Sequence, residues 1–76
     1  MEEVVLQRFP IRLQQFLKLM GLVGTGGEVK HLLDEGRIWV NGKRETHRGR
    51  QLYPGDEVLF RHGRVVLRFR VQKDGP

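Results

Sequence analysis

The sequence predicts an α+β fold in which two short N-terminal helices pack on a small, mostly antiparallel β-sheet. Three observations indicate this class. Apolar residues recur twice at helical spacing before residue 36, and they alternate at strand spacing after it. A chain of 76 residues has the length of one domain. Helices followed by strands are typical of the α+β class, so we expect a single domain over residues 1–76.

The first helix follows a short apolar segment and a proline. Residues 4–6 are compatible with either a strand or an apolar arm, and Pro10 then interrupts the chain. The apolar positions of the helix follow the i, i+3, i+4, i+7 pattern of one buried face. These positions are Leu13, Phe16, Leu17 and Met20. Gly21 is a typical C-terminal stop.

The second helix begins with a capping box. The Thr25 hydroxyl is expected to accept a hydrogen bond from the backbone of Glu28, whose carboxylate reaches back to the helix start. Val29, Leu32 and Leu33 form the apolar stripe. Gly36 is expected to end the helix.

The remainder predicts strands joined by turns. Arg37 to Val40 alternate, and Asn41-Gly42 is a strong hairpin signal, with residues 43–46 returning antiparallel. A loop over 47–51 precedes a Pro54-Gly55 turn. Residues 57–60 and 64–71 predict a second hairpin, and residues 72–76 a frayed tail. The predicted core consists of Leu13, Phe16, Leu17, Met20, Val29, Leu32, Leu33, Ile38, Val40, Leu52, Val58 and Phe60.

The charge balance indicates a polyanionic partner. The chain carries 14 Lys and Arg against 9 Asp and Glu, for a net charge of +5, and its pI is about 10.5. Ten of the cations are arginine, whose guanidinium fork suits phosphate and stacks on bases. A pI above about 9 is typical of nucleic-acid-binding domains. The alternative is a solvated basic surface that keeps a small protein soluble.

Several functional classes are disfavoured. No apolar stretch approaches the roughly 20 residues of a membrane span, the acidic N-terminus lacks a secretory signal, and the chain has no cysteine. We therefore expect a cytoplasmic protein with no membrane partner. The three histidines lack ligand spacing, and no phosphate-binding lysine loop is present. We expect no enzyme activity, no metal and no cofactor.

An ordered set of short motifs resembles the RNA-binding domain of ribosomal protein S-four, over about residues 11 to 60. The motifs are Phe16-Leu17-Lys18, Gly21-Leu22-Val23, residues 25–30, Leu32-Leu33, Glu35-Gly36, Val40-Asn41-Gly42 and Pro54-Gly55-Asp56. The segments GLVGTGGEVK and VNGKRETHRGR resemble the small stand-alone bacterial members. The resemblance implies a protein that binds structured ribosomal RNA, or a tRNA-like structure, on a ribosome or ribosomal subunit. We expect it to be a monomer. Some such relatives act on large subunits stalled with peptidyl-tRNA, so assembly and rescue are both implied roles.

Candidate RNA contacts fall on three segments. They are the exposed side of the first helix, the start of the second helix and the exit of the first hairpin. At the start of the second helix, Gly26 and Gly27 would let a phosphate approach the backbone, although Glu28 already satisfies part of this end. Lys30 lies one exposed turn further on. The hairpin exit carries a cluster of cations that repel one another unless a polyanion neutralises them, with Glu45 as an internal counter-charge. The full set is Arg12, Lys18, Gly26, Gly27, Lys30, Arg37, Lys43, Arg44, Arg48 and Arg50.

Two alternatives stay open at this point. The basic loop is a solvated, screened surface in many proteins. Separately, the chain could be a protein-interaction module that docks through its sheet on a ribosomal protein or an RNA-processing enzyme. Trp39 and Tyr53 could stack on bases, but a tryptophan in a strand more often packs, and packing is favoured here.

Overall fold

A computed structural model of the chain describes residues 1–75 and confirms the α+β class. Its helices are α1 (Leu13–Leu19) and α2 (Gly26–Asp34). Its strands are β1 (Glu2–Leu6), β2 (Ile11–Arg12), β3 (Ile38–Val40), β4 (Lys43–Arg44), β5 (Gln51–Leu52), β6 (Glu57–His62) and β7 (Val65–Lys73). The predicted helices and both predicted hairpins are present.

The main sheet has five strands in the order β1-β7-β6-β3-β4. All its pairs are antiparallel except β1 with β7, which run parallel with Glu2 opposite Phe69 and Leu6 opposite Lys73. A two-residue ladder joins Ile11 of β2 to Leu52 of β5. Residues 4–6, for which the sequence left a strand or an apolar arm open, belong to strand β1, so β1 and β2 precede the helices.

The prediction that residues 72–76 form a frayed tail was wrong for Gln72 and Lys73. Strand β7 continues through Gln72 to Lys73, because β1 supplies a parallel partner that satisfies its backbone groups. Pro76, the last residue of the predicted tail, lies outside the described residues.

The core lies between the two helices and one face of the main sheet. Ten of the twelve predicted core residues are buried, while Met20 and Leu32 are partly buried and pack against them. The core also includes Val23, Phe69 and Val71. Phe16 meets Phe69 edge to face, with ring centroids 5.8 Å apart, which joins α1 directly to β7.

Gly36 and Gly42 are two of the glycines whose positive φ favours this residue. Gly36 ends α2 with φ of +69°, and a Cβ there would lie 2.9 Å from Cζ of Arg44. Asn41 and Gly42 both have positive φ, as the tight β3–β4 turn requires. The Asn41 side chain also donates to Asp56 at 3.0 Å and accepts from the Glu57 backbone at 2.9 Å, so this turn is tied to the start of β6.

Half of the predicted capping box is present. The Thr25 hydroxyl accepts a hydrogen bond from the Glu28 backbone at 3.3 Å. The Glu28 carboxylate accepts instead from the Gly24 backbone at 3.3 Å, one residue before the predicted partner. Both bonds still satisfy backbone donors around the helix start.

Replacing Thr25 with alanine should lower the free energy of unfolding by about 0.5–2 kcal/mol, because the cap of α2 is lost. The loss should appear as a lower melting temperature by circular dichroism. Thr25→Ser, which keeps the accepting hydroxyl, should melt close to the parent protein. Equal melting of the alanine variant and the parent would show that the cap contributes nothing.

Candidate nucleic-acid interface

A surface groove lies between α2 and the loop of residues 45–50, which we call the 45–50 loop. Its volume is about 800 Å³, and we refer to it as the α2–loop groove. The lining residues are Lys30, Leu33, Asp34, Glu45, Thr46, His47, Arg48, Gly49 and Arg50. Cations from two separate segments therefore share one concave surface.

The buried carboxylate of Glu45 organises the 45–50 loop. One oxygen accepts from the backbone N–H groups of Thr46 at 3.2 Å and His47 at 3.1 Å. The other oxygen accepts from Nη1 of Arg50 at 2.8 Å. Glu45 is only 7% exposed, so the three donors replace the water that burial removes. The predicted role of Glu45 as an internal counter-charge is confirmed, with Arg50 as its partner.

The same contacts set the ionisation of Glu45. Burial alone would raise the pKa of this carboxyl. The backbone bonds from His47 and Thr46, together with the Arg50 guanidinium, outweigh it and hold the pKa below the ordinary value of 4.5. Since the folded-state pKa is depressed, the stabilisation is present above about pH 4.5 and is lost as the pH falls through the lowered pKa.

The carbonyl groups of the 45–50 loop cap the N-terminus of α1. The backbone N–H of Leu13 donates to the carbonyl of Arg50 at 2.7 Å, and that of Gln14 donates to the carbonyl of Arg48 at 3.2 Å. These donors have no partner inside the helix. Arg12 pairs with Gln51 in the β2–β5 ladder. The fold thereby brings Arg12 beside the cationic loop.

Three predicted site residues, from two segments of the chain, line the α2–loop groove: Lys30, Arg48 and Arg50. A fourth, Arg12, lies next to the loop through its backbone pairing with Gln51. Arg50 is neutralised by Glu45 at 2.8 Å. Within residues 1–75, the side chains of Arg12, Lys30 and Arg48 are exposed and form no ion pair. Their charges are available to a ligand, opposed in the groove by Asp34.

Two predicted arginines are engaged in contacts within the protein. Arg44 donates from Nη2 to the carbonyl of Asp34 at 2.9 Å, which places a cation at the C-terminus of α2, where the helix dipole favours it. Arg37 forms an ion pair with Glu35 at 3.0 Å and donates to Nδ1 of His62 at 3.0 Å. The charge of Arg37 is therefore compensated by an acidic neighbour.

The other predicted residues are dispersed. Gly26 and Gly27 form the first turn of α2, one turn before Lys30. A Cβ at Gly26 would meet no atom within 4 Å, and one at Gly27 only Thr25 Oγ1 at 3.8 Å, so packing does not require glycine at either position. Lys18 is exposed in the last turn of α1, and Lys43 is exposed on β4.

Two groove residues, Thr46 and His47, were not predicted. The imidazole Nδ1 of His47 lies 3.6 Å from Glu45 Oε1 and 3.2 Å from the hydroxyl of Thr46. In the sequence, the available signal for both residues was their position between the acidic Glu45 and Arg48. Both offer polar atoms to a ligand in the groove.

The substitution Glu45→Gln should lower the free energy of unfolding at pH 7 by about 1–3 kcal/mol, because a bond to a charged partner is lost and Arg50 is left unpaired. It should also flatten the decline of stability below about pH 4.5. Urea unfolding at pH 7 and pH 4 tests both effects. Glu2→Gln removes an exposed carboxylate and should change neither, whereas equal behaviour of the two variants would contradict the role of Glu45.

Within residues 1–75, no three His, Cys, Asp or Glu side chains are grouped so that they could hold a metal ion. No helix in this part of the chain has the length and hydropathy needed to cross a membrane.

Comparisons with known proteins converge on one family. The sequence model of the S4 domain matches residues 4–68. The chain is 46% identical over 48 residues to the probable ribosome maturation protein RlbA of Bacillus subtilis (strain 168), covering 63% of this chain and 68% of that protein. It is 32% identical over 63 residues to the RQC P-site tRNA stabilizing factor of the same organism, covering 83% of this chain and 72% of that protein.

A third relative is much longer. The chain is 32% identical over 59 residues to the small ribosomal subunit protein uS4 of Natranaerobius thermophilus, covering 78% of this chain but only 28% of that protein. The match is thus to one part of uS4. With the family match over residues 4–68 and two relatives aligned over more than two thirds of their own length, the chain belongs to the S4 domain family.

Proposed function

We propose that the protein is a non-catalytic RNA-binding protein that binds structured ribosomal RNA and associates with the ribosome or one of its subunits. The observation that carries this proposal is that Lys30 and Arg48 line the α2–loop groove without an ion pair in residues 1–75, whereas Arg50 is neutralised by Glu45. Arg12 adds a further cation on the short strand that pairs next to the loop. The protein would act as a single-domain monomer in the cytoplasm. The names of its relatives, which refer to ribosome maturation, P-site tRNA and a ribosomal subunit, support this proposal.

The arrangement suits recognition of the sugar–phosphate backbone. Arg48 offers a planar fork that can hold one phosphate through two hydrogen bonds, and Lys30 offers a mobile point charge. Structured RNA is recognised largely through shape, phosphates and 2′-hydroxyl groups, and Thr46 and His47 provide polar atoms for the 2′-hydroxyl groups. Contact of these three free cations with about three phosphates gives a slope of log K against log salt of about −2 to −2.7.

Two finer roles fit the relatives, ribosome assembly and rescue of stalled large subunits. Cross-linking in cells followed by sequencing of the attached RNA separates them, with sucrose-gradient sedimentation of the protein as a companion measurement. Precursor ribosomal RNA among the cross-linked reads would indicate assembly. Mature large-subunit RNA together with tRNA would indicate rescue.

The same measurements test the proposal against the protein-interaction alternative. RNA binding predicts cross-links to ribosomal RNA and dissociation from the subunit as salt rises. A module that docks on a protein would sediment with the subunit without such cross-links and with weak salt dependence. That result would overturn the proposal.

A further inference from the structure

The face of the main sheet opposite the helices carries the only tryptophan of the chain. In β3, Ile38 and Val40 are buried on the core side, while Trp39 between them is half-buried and points to the other side. Trp39 pairs with Leu59 of β6, and Leu59 pairs with Arg68 of β7. Cross-strand partners share a face, so these three side chains form one row on the outer face.

A second row adds another arginine. Arg61 follows Leu59 by two positions on β6, which places it on the same face. Its guanidinium carbon lies 5.4 Å from the centroid of the Trp39 ring, within the range of a cation–π contact. Trp39, Leu59, Arg61 and Arg68 line a shallow cavity of about 410 Å³ together with Met1, Gly42, Glu57 and Val58. We call this the outer-face cavity.

The charge of this cavity is positive. Arg61 and Arg68 are both exposed, and neither forms an ion pair within residues 1–75. Among the described residues, Glu57 is the one carboxylate that lines this cavity, and it forms an ion pair with Arg70 at 3.5 Å. Two free guanidinium groups therefore flank an aromatic ring on a surface that the protein itself does not cover.

We propose that the outer-face cavity is a second RNA contact, in which an unpaired nucleobase stacks on the Arg61–Trp39 pair and Arg68 binds the adjoining phosphate. Bases stack on aromatic rings and on guanidinium planes, and the backbone supplies the negative charge that the arginines complement. An acidic peptide would satisfy the charge but leave the ring unused. The proposal is independent of the α2–loop groove, and it would let one small domain hold a structured segment on one side and a single-stranded segment on the other.

Trp39 provides the readout, because its fluorescence reports only on this face. Hexa-adenylate in about 50 mM salt should quench it saturably. An abasic ribose-phosphate hexamer should bind about tenfold more weakly, since base stacking is lost. The variant Arg61→Ala with Arg68→Ala should weaken hexa-adenylate binding by at least tenfold. Arg61→Lys keeps the charge but not the flat surface, and it should lose most of the preference for hexa-adenylate over the abasic hexamer.

Two control variants locate the effect. Arg64→Ala removes an exposed cation from the neighbouring β6–β7 turn, and Lys30→Ala with Arg48→Ala removes the free cations of the groove. Both should change hexa-adenylate binding by less than about threefold, and melting curves should show that every variant is folded.

Four outcomes would overturn the proposal. They are the absence of quenching, equal affinity for the abasic hexamer, tighter binding of a hexaglutamate peptide, and loss of quenching in the groove variant. Because the groove variant is expected to keep this signal, failure here leaves the function proposed for the α2–loop groove to its own cross-linking test.

Discussion

The double variant Lys30→Ala, Arg48→Ala is expected to bind its ribosomal RNA about thirtyfold more weakly than the parent protein. Each exposed charge-assisted contact contributes about fivefold, and the two act on one polyanion in the α2–loop groove. The slope of log K against log salt should become shallower by about 1.4–1.8, because two fewer counterions are released. A fluorescence titration at several salt concentrations, with the RNA recovered by cross-linking, measures both quantities.

The control for this prediction is Arg64→Ala with Lys73→Ala. It changes the net charge equally but removes exposed cations outside the groove, and it should weaken binding by less than about threefold. Equal losses in the two double variants would show that the overall charge of the protein, and not the groove, determines RNA affinity. Arg50→Ala should differ from both double variants in its stability. It leaves the buried Glu45 carboxylate without its partner and should therefore lower the melting temperature.

The substitution Phe16→Ala is expected to have the largest effect on stability. Phe16 is fully buried and contacts Phe69 edge to face, so its loss opens a cavity between α1 and the sheet. Such truncations cost about 3–5 kcal/mol, a large share of the stability of a domain this size, which is about 4–11 kcal/mol. Thermal and urea unfolding should show a melting temperature lowered by more than about 10 °C.

Leu19→Ala is the matched control, since Leu19 lies on the same helix with 60% of its surface exposed. It should shift the melting temperature by only a few degrees. A Phe16→Ala protein that melts as Leu19→Ala does would mean that α1 contributes little to the core.

The local elements could be predicted because their signals are local. The spacing of Leu13, Phe16 and Leu17 determines the buried face of α1, and the hydroxyl of Thr25 determines where α2 starts. Asn41-Gly42 permits the positive φ values of a tight turn, so the β3–β4 hairpin followed directly. In each case the interacting residues lie within a few positions of one another.

The long-range pairing could not be predicted in the same way. Strand β1 alternates only weakly between half-buried and exposed residues, because an edge strand presents little to the core. Phe69 and Val71 alternate in the sequence, but only their position opposite Phe16 and β6 makes them core residues. The partner residues of β1 and β7 lie 67 positions apart in the chain. Neither the composition of these strands nor the spacing of their apolar residues indicates that they pair.

The candidate site was partly predictable for a related reason. A cluster of cations near residue 48 indicates a basic surface, and the acid at residue 45 indicates an internal partner. The sequence does not show that Arg37 turns to Glu35, that Arg44 caps α2, or that the loop carbonyls bring Arg12 into place. These depend on the meeting of elements distant in the chain, so charge density identified the region and the fold selected its members.

The parallel pairing of β1 with β7 has a consequence for the order of folding. Because Glu2 pairs with Phe69, β1 can join the sheet only after β7 has been synthesised. During synthesis the N-terminal strand therefore has no partner until nearly the whole chain has left the ribosome. Closing a loop of this length costs about 4 kcal/mol of chain entropy. The helices and hairpins, whose contacts are local, should therefore form first. Strand β1 should be the last element to join the sheet and the first to separate from it. Its amide protons should accordingly exchange with solvent sooner than those of β6.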